Sequence, residues 1–128
     1  MKKILCCVVL CISQYAMAEK ALHLFNWNDY IAEDTVTRFE EQCGCKVVQD
    51  YFSATEEMMA KLLAGAGDYD VVIPTQNAVE ALVKQGFLLP LDKSKLSNLG
   101  NTAKGFLDKA YDPGNVYSLP YAFTTTLI

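Results

Sequence analysis

Trp27, Asn28, Asp29 and Tyr30 place an indole, an amide, a carboxylate and a phenol on consecutive residues. They lie in the stretch LFNWNDY, where the first apolar run of the chain after its N-terminal segment ends. Trp27 is the only tryptophan of the sequence. Aromatic faces beside a carboxylate suit an organic cation. The carboxylate takes an ammonium group through charge-assisted hydrogen bonds. A ring face adds about 0.5–2 kcal/mol by cation–π attraction and covers methylenes as well. A structural alternative carries equal weight: Trp27 is a core residue, and Asp29 caps a helix that follows.

Other chemistries find less support. The one histidine, His23, sits inside an apolar run and reads as a packed or surface residue rather than a base. There is no G-x-S-x-G, no Walker A and no dinucleotide fingerprint. LAGAG (63–67) follows a helical pattern, so its glycines stop a helix rather than cradle a phosphate. The acidic pairs Glu33/Asp34, Glu40/Glu41 and Glu56/Glu57 fall at the solvent-facing spacing of helices. Cys43-Gly44-Cys45 is a tight C-x-C pair. It reads as a helix-to-strand turn, with a strained redox disulfide or half a metal site as alternatives. No cofactor and no metal site are expected.

The elements that must position these residues alternate along the chain. Ala21 to Phe25 predicts a first strand. Ala32 to Gln42 predicts a helix, with acids in its first turn and Gly44 at its end. Lys46 to Phe52 predicts a second strand. Ser53 to Leu63 predicts a helix opened by a capping box of Ser53 and Glu56. Tyr69 to Ile73 predicts a third strand, closed by Pro74, and Ala78 to Gln85 a third helix, closed by Gly86. This is an α/β pattern, with a mostly parallel sheet flanked by helices. Ligands of such sheets bind beyond the carboxyl ends of the strands. That rule brings Thr75 and Asn77, just past the third strand, toward Trp27–Tyr30. After Gly86 the sequence turns loop-rich. Ala103 to Ala110 predicts a short helix, DPGN (112–115) a turn, and VYSLPYAFTTTLI (116–128) one or two strands interrupted by Pro120.

The N-terminus has a different texture. Lys2-Lys3, the apolar run Ile4 to Ile12 and Ala16-Met17-Ala18 form a secretory signal, residues 1–18, with cleavage after Ala18. The run is too short to span a membrane. Cleavage removes Cys6, Cys7 and Cys11 and leaves Cys43 and Cys45. Losing Lys2 and Lys3 from 11 basic residues leaves 9 against 15 acidic ones, a net charge of −6. That balance argues against nucleic acid and anionic membrane surfaces and permits a cationic ligand. The mature part, 19–128, has 110 residues.

The order of LHLFNWNDYIAEDTVTRFEEQCGCKVVQDYF, YDVVIPT, LLPLDKSKL and YDPGNVYSLPYAFTTTLI resembles the periplasmic polyamine-binding proteins, the substrate receptors of ATP-driven putrescine and spermidine importers. The resemblance spans about Ala21 to Ile128. It implies a lobe of the type II periplasmic-binding-protein kind, in a receptor whose two lobes close on a polyamine. It implies no enzymatic activity, a periplasmic location, a monomer and delivery to the membrane permease of an ABC importer. It assigns ligand contacts to Trp27, Asn28, Asp29 and Tyr30 and to Thr75 and Asn77. Thr75 keeps the hydroxyl of the family's usual serine, and Asn77 stands where an aromatic is common. Asp at position 29 leans toward putrescine over spermidine. Family members are much longer, so residues 19–128 are expected to form the N-terminal lobe, truncated at the inter-lobe crossover, with the second lobe missing and half of the site. Alternatives are a receptor for another small solute, such as an amino acid or a sugar, a thiol-redox or metal-binding fragment built on Cys43 and Cys45, and a degenerate remnant.

Overall fold

The computed structural model describes residues 20–123, so residues 1–19, with the expected secretory signal, and 124–128 lie outside the described residues. Three strands and three helices alternate: β1 (Ala21–Trp27), α1 (Glu33–Cys43), β2 (Lys46–Phe52), α2 (Thr55–Leu63), β3 (Val71–Val72) and α3 (Gln76–Lys84). The sheet is parallel with strand order β2-β1-β3. β1 is therefore central, and the chain leaves it first to one side and then to the other.

Register decides which side chains meet. Phe25 pairs with Asp50 and Trp27 with Phe52, so these four share one face. Phe25 and Phe52 are fully buried there with Met58 of α2 and Ala78 of α3. The two phenylalanine rings meet edge to face at 4.8 Å. Met58 and Leu62 recur at the i, i+4 spacing that aims one stripe of α2 at the sheet. In α3, Ala78, Val79 and Leu82 are buried. The ring of Tyr69 stacks on Phe25 at 4.6 Å. Its hydroxyl donates to Asp50 Oδ2 at 2.5 Å, and Lys61 Nζ donates to the same oxygen at 2.9 Å.

Several boundaries differ from expectation. β1 runs two residues further, so Trp27 ends the strand instead of following it. β3 shrinks to two residues, although Asp70 N–H to His23 O and Ile73 N–H to Phe25 O extend its bonding. Pro74 has no N–H to continue it. The capping box does not form as read. α2 starts after Ala54, which shifts the reach-back acid by one: Ser53 N–H donates to Glu57, not Glu56. Asp29 does not cap α1, whose capping residue is Ala32.

The expected helix over Ala103–Ala110 is only a single 3-10 turn at Lys104–Phe106. Gly105 lies inside it and Asp108 takes φ +54°, and so short a helix cannot repay its own nucleation. No strand forms over 116–123. There the chain is fixed by side chains instead. The buried Asp112 carboxylate accepts the N–H groups of Val116, Tyr117 and Ser118 and the Ser118 hydroxyl, at 2.7–3.0 Å.

Candidate functional site: the carboxyl-end rim of the sheet

β1 is the strand at which the chain reverses direction across the sheet, and the adjoining crevice is the place where such sheets hold ligands. Trp27 closes β1 with its indole half-buried, 4.5 Å from the Phe52 ring and 6.1 Å from Tyr30. Asn28 is tied to the end of β2 twice. Its N–H donates to Phe52 O at 3.3 Å, and its side-chain amide donates to Ser53 Oγ at 2.8 Å. This second bond occupies the hydroxyl that the sequence had assigned to capping. Asp29 then turns the chain with φ +56°, a left-handed conformation that aspartate tolerates better than most residues. Its side chain is exposed. Tyr30 is also exposed, and its carbonyl accepts the hydroxyl of Tyr121.

Asn28 and Asp29 open on a shallow depression of about 250 Å³, completed by Ile31 and Tyr51. Thr75 and Asn77 do not line it. They lie further along the same rim. Val72 pairs with Phe25, so in register Pro74 and Thr75 continue beside Trp27 and Asn28. Thr75 precedes α3, and Asn77 is already inside its first turn. The expected polar loop is therefore shorter than the sequence implied. Sequence reading passed over Ile31, Tyr51 and Tyr121. Tyr51 carried a signal, being an aromatic near the end of a strand. Tyr121 carried none, since its contact with Tyr30 spans 91 positions.

The other sequence candidates are accounted for locally. The backbone N–H of His23, not its imidazole, donates to Asp70 Oδ2 at 2.8 Å. Glu40 accepts the Val47 N–H at 2.9 Å, so it works for the turn and is not merely solvated. Cys43 and Cys45 are joined in a disulfide across Gly44. Among the described residues, no group of three or more His, Cys, Asp or Glu is placed to hold a metal. No helix among them is long and apolar enough to cross a membrane.

Comparison with known proteins adds four findings. Residues 34–128 match a family described as bacterial extracellular solute-binding protein. The chain is 65% identical, over 100% of its own length and 36% of the relative, to the putrescine/cadaverine-binding protein of Pseudomonas aeruginosa. It is 40% identical to the putrescine-binding periplasmic protein PotF of Escherichia coli, over 90% of this chain and 32% of PotF. Among solved structures, the spermidine/putrescine ABC transporter substrate-binding protein PotD of Streptococcus pneumoniae superposes with a TM-score of 0.78 at 35% identity, over 80% of this chain and 32% of that one. The chain thus spans about a third of the length of these relatives. With the parallel sheet, the strand order and the rim described above, these matches establish that the chain belongs to the bacterial extracellular solute-binding protein family.

Proposed function

We propose that this chain takes part in periplasmic capture of polyamines, putrescine in preference to spermidine, for delivery to an ABC importer. It is a binding protein and not an enzyme, monomeric, and exported through cleavage after Ala18. The observation that carries the reading is the exposed Asp29 carboxylate at the carboxyl-end rim, next in the chain to Trp27 and Tyr30, whose rings lie 6.1 Å apart. The names of its relatives, putrescine/cadaverine-binding and putrescine-binding, support the ligand class. Asp29 takes one ammonium group. Trp27 and Tyr30 cover the methylenes. Asn28, Thr75 and Asn77 supply polar contacts along the rim.

This rim is half of a site. It is open on one side, and affinity in a hinged receptor comes from burying the ligand between lobes. On an open face the ionic contact is worth ~0–1 kcal/mol and each exposed ring contact about 0.5–1 kcal/mol, which corresponds to dissociation constants of about 10 mM or weaker. Titration of the sole indole by fluorescence tests this. Quenching by putrescine only at about 10 mM or above, weakened in Asp29→Asn, is the expected result. Micromolar putrescine binding would overturn the half-site. A response to neutral sugars or amino acids but not to diamines would overturn the polyamine reading.

A further inference from the structure

The Cys43–Cys45 bridge lies at the opposite end of β2 from the rim, about 20 Å away for a seven-residue strand. Three bonds set the path of the chain there without it. The Gly44 N–H donates to Glu40 O at 2.9 Å, closing the left-handed cap of α1. The Lys46 N–H donates to Lys20 O at 2.8 Å and starts the β1–β2 pairing. Glu40 accepts the Val47 N–H at 2.9 Å, and its carboxylate also lies 3.6 Å from Lys46 Nζ. A cross-link between residues two apart constrains very little of the unfolded chain. The bridge is therefore redundant as a staple. It is also accessible: Cys43 is exposed and Cys45 half-buried. A shallow depression of about 390 Å³ lined by Glu40, Glu41, Cys45 and Lys46, among others, keeps Cys45 open to solvent.

We propose that this bridge is a thiol–disulfide exchange site that reacts with accessible alkyl thiols. An incoming thiolate attacks Cys43 Sγ and forms a new S–S bond. The Cys43–Cys45 bond breaks, and its electron pair leaves on Cys45 Sγ, which takes a proton from water. A second thiolate then attacks the sulfur of the first thiol in the mixed disulfide, releasing a disulfide of the two incoming thiols and freeing Cys43. Two thiols are oxidised by two electrons, and the bridge is reduced to a dithiol. The surroundings set this polarity. Cys43 ends α1, where the helix dipole disfavours a thiolate, and its sulfur lies 3.6 Å from the Glu40 carbonyl oxygen. Cys45 lies past that helix end and is followed by Lys46, whose ammonium is 3.6 Å from the Glu40 carboxylate. Cys45 is thus the leaving sulfur and Cys43 the one attacked.

The test uses the purified chain, excess reduced glutathione and no denaturant, with acid quenching, alkylation and peptide mapping by mass. Both cysteines are expected to become alkylatable while circular dichroism is unchanged and the thermal midpoint moves by less than about 3 °C. In the earliest samples, glutathione is expected on the peptide's Cys43 and not on Cys45. A bridge that opens only when denaturant is added overturns the proposal, because it is then structural. Free Cys43 and Cys45 in chain freshly isolated under oxidising conditions overturn it as well, and glutathione first on Cys45 overturns the polarity. None of these outcomes bears on the putrescine titration, so the two readings fail independently.

Discussion

The indole of Trp27 lies 4.5 Å from the buried ring of Phe52. The one tryptophan is therefore both a core contact and a rim residue. Trp27→Phe keeps an aromatic against Phe52 and is expected to cost less than about 1.5 kcal/mol of stability. Trp27→Ala empties that side of the core and is expected to cost about 2–3 kcal/mol, below the range for a fully buried aromatic because Trp27 is half-exposed. Urea unfolding of both variants checks this. Equal midpoints for the two would show that the ring contributes nothing to the core.

Asp112 holds the segment that leads to Tyr121. One buried carboxylate accepts four donors there. Asp112→Ala strands three backbone N–H groups at once, with an expected loss of about 2–4 kcal/mol. Hydrogen exchange should localise the loosening to residues 108–118, where Asn115 also accepts the Asp108 N–H at 2.7 Å and donates to Ser118 O at 3.1 Å. Uniform protection in the variant would count against this role.

Acid should weaken the fold through Asp50. Its carboxyl is held below the ordinary carboxylate value, first by the Tyr69 hydroxyl and then by the Lys61 ammonium. A folded-state pKa that is lowered favours folding while the group is ionised. The contribution is thus complete above the unfolded value near pH 4 and is lost as pH falls below it. Burial first, and then the bond to Asp50, push the Tyr69 hydroxyl up, so its contribution disappears only in strong alkali. Denaturation midpoints measured from pH 2 to pH 7 in the parent and in Asp50→Asn are expected to differ at neutral pH and to converge below about pH 4. Parallel curves would rule the network out as a source of acid sensitivity.

Gly67 has φ +109°, and a Cβ placed there would sit 2.8 Å from the Tyr69 ring. Gly67→Ala should therefore cost about 1–3 kcal/mol through backbone strain and displacement of that ring from Phe25. Gly65 is also left-handed but faces open space. Gly65→Ala should cost less, since it carries the backbone term alone. Thermal midpoints of the pair separate the two effects, and equal losses would show that the Tyr69 contact is soft.

What was legible in the sequence is what rests on local periodicity. The β-α-β-α-β-α order, the span of β2 and the Gly44 stop of α1 all follow from apolar spacing and from a residue that can turn left-handed. The box Trp27–Tyr30 was legible because four chemically distinct groups sit in succession at the end of a strand. The order β2-β1-β3, and with it the place of that box at the reversal point of the sheet, came from register, which sequence spacing does not encode. The helix expected at Ala103–Ala110, and the one or two strands expected over 116–128 in their described part 116–123, did not form because short segments with Gly105 and Pro120 inside them cannot close their own hydrogen-bond ladders. Side chains close those bonds instead, as Asp112 does.

The sequence by itself determined which chemistry the rim can offer: a carboxylate between aromatics, acidic overall charge, and a second polar patch at Thr75 and Asn77. Tertiary structure alone decided that Tyr51 stands beside Asp29, that Tyr121 reaches Tyr30, and that Phe25, Tyr69, Asp50 and Lys61 form one network. Those contacts join positions far apart in the chain, and their geometry is fixed by the packing of α2 and α3 on the sheet rather than by any local preference.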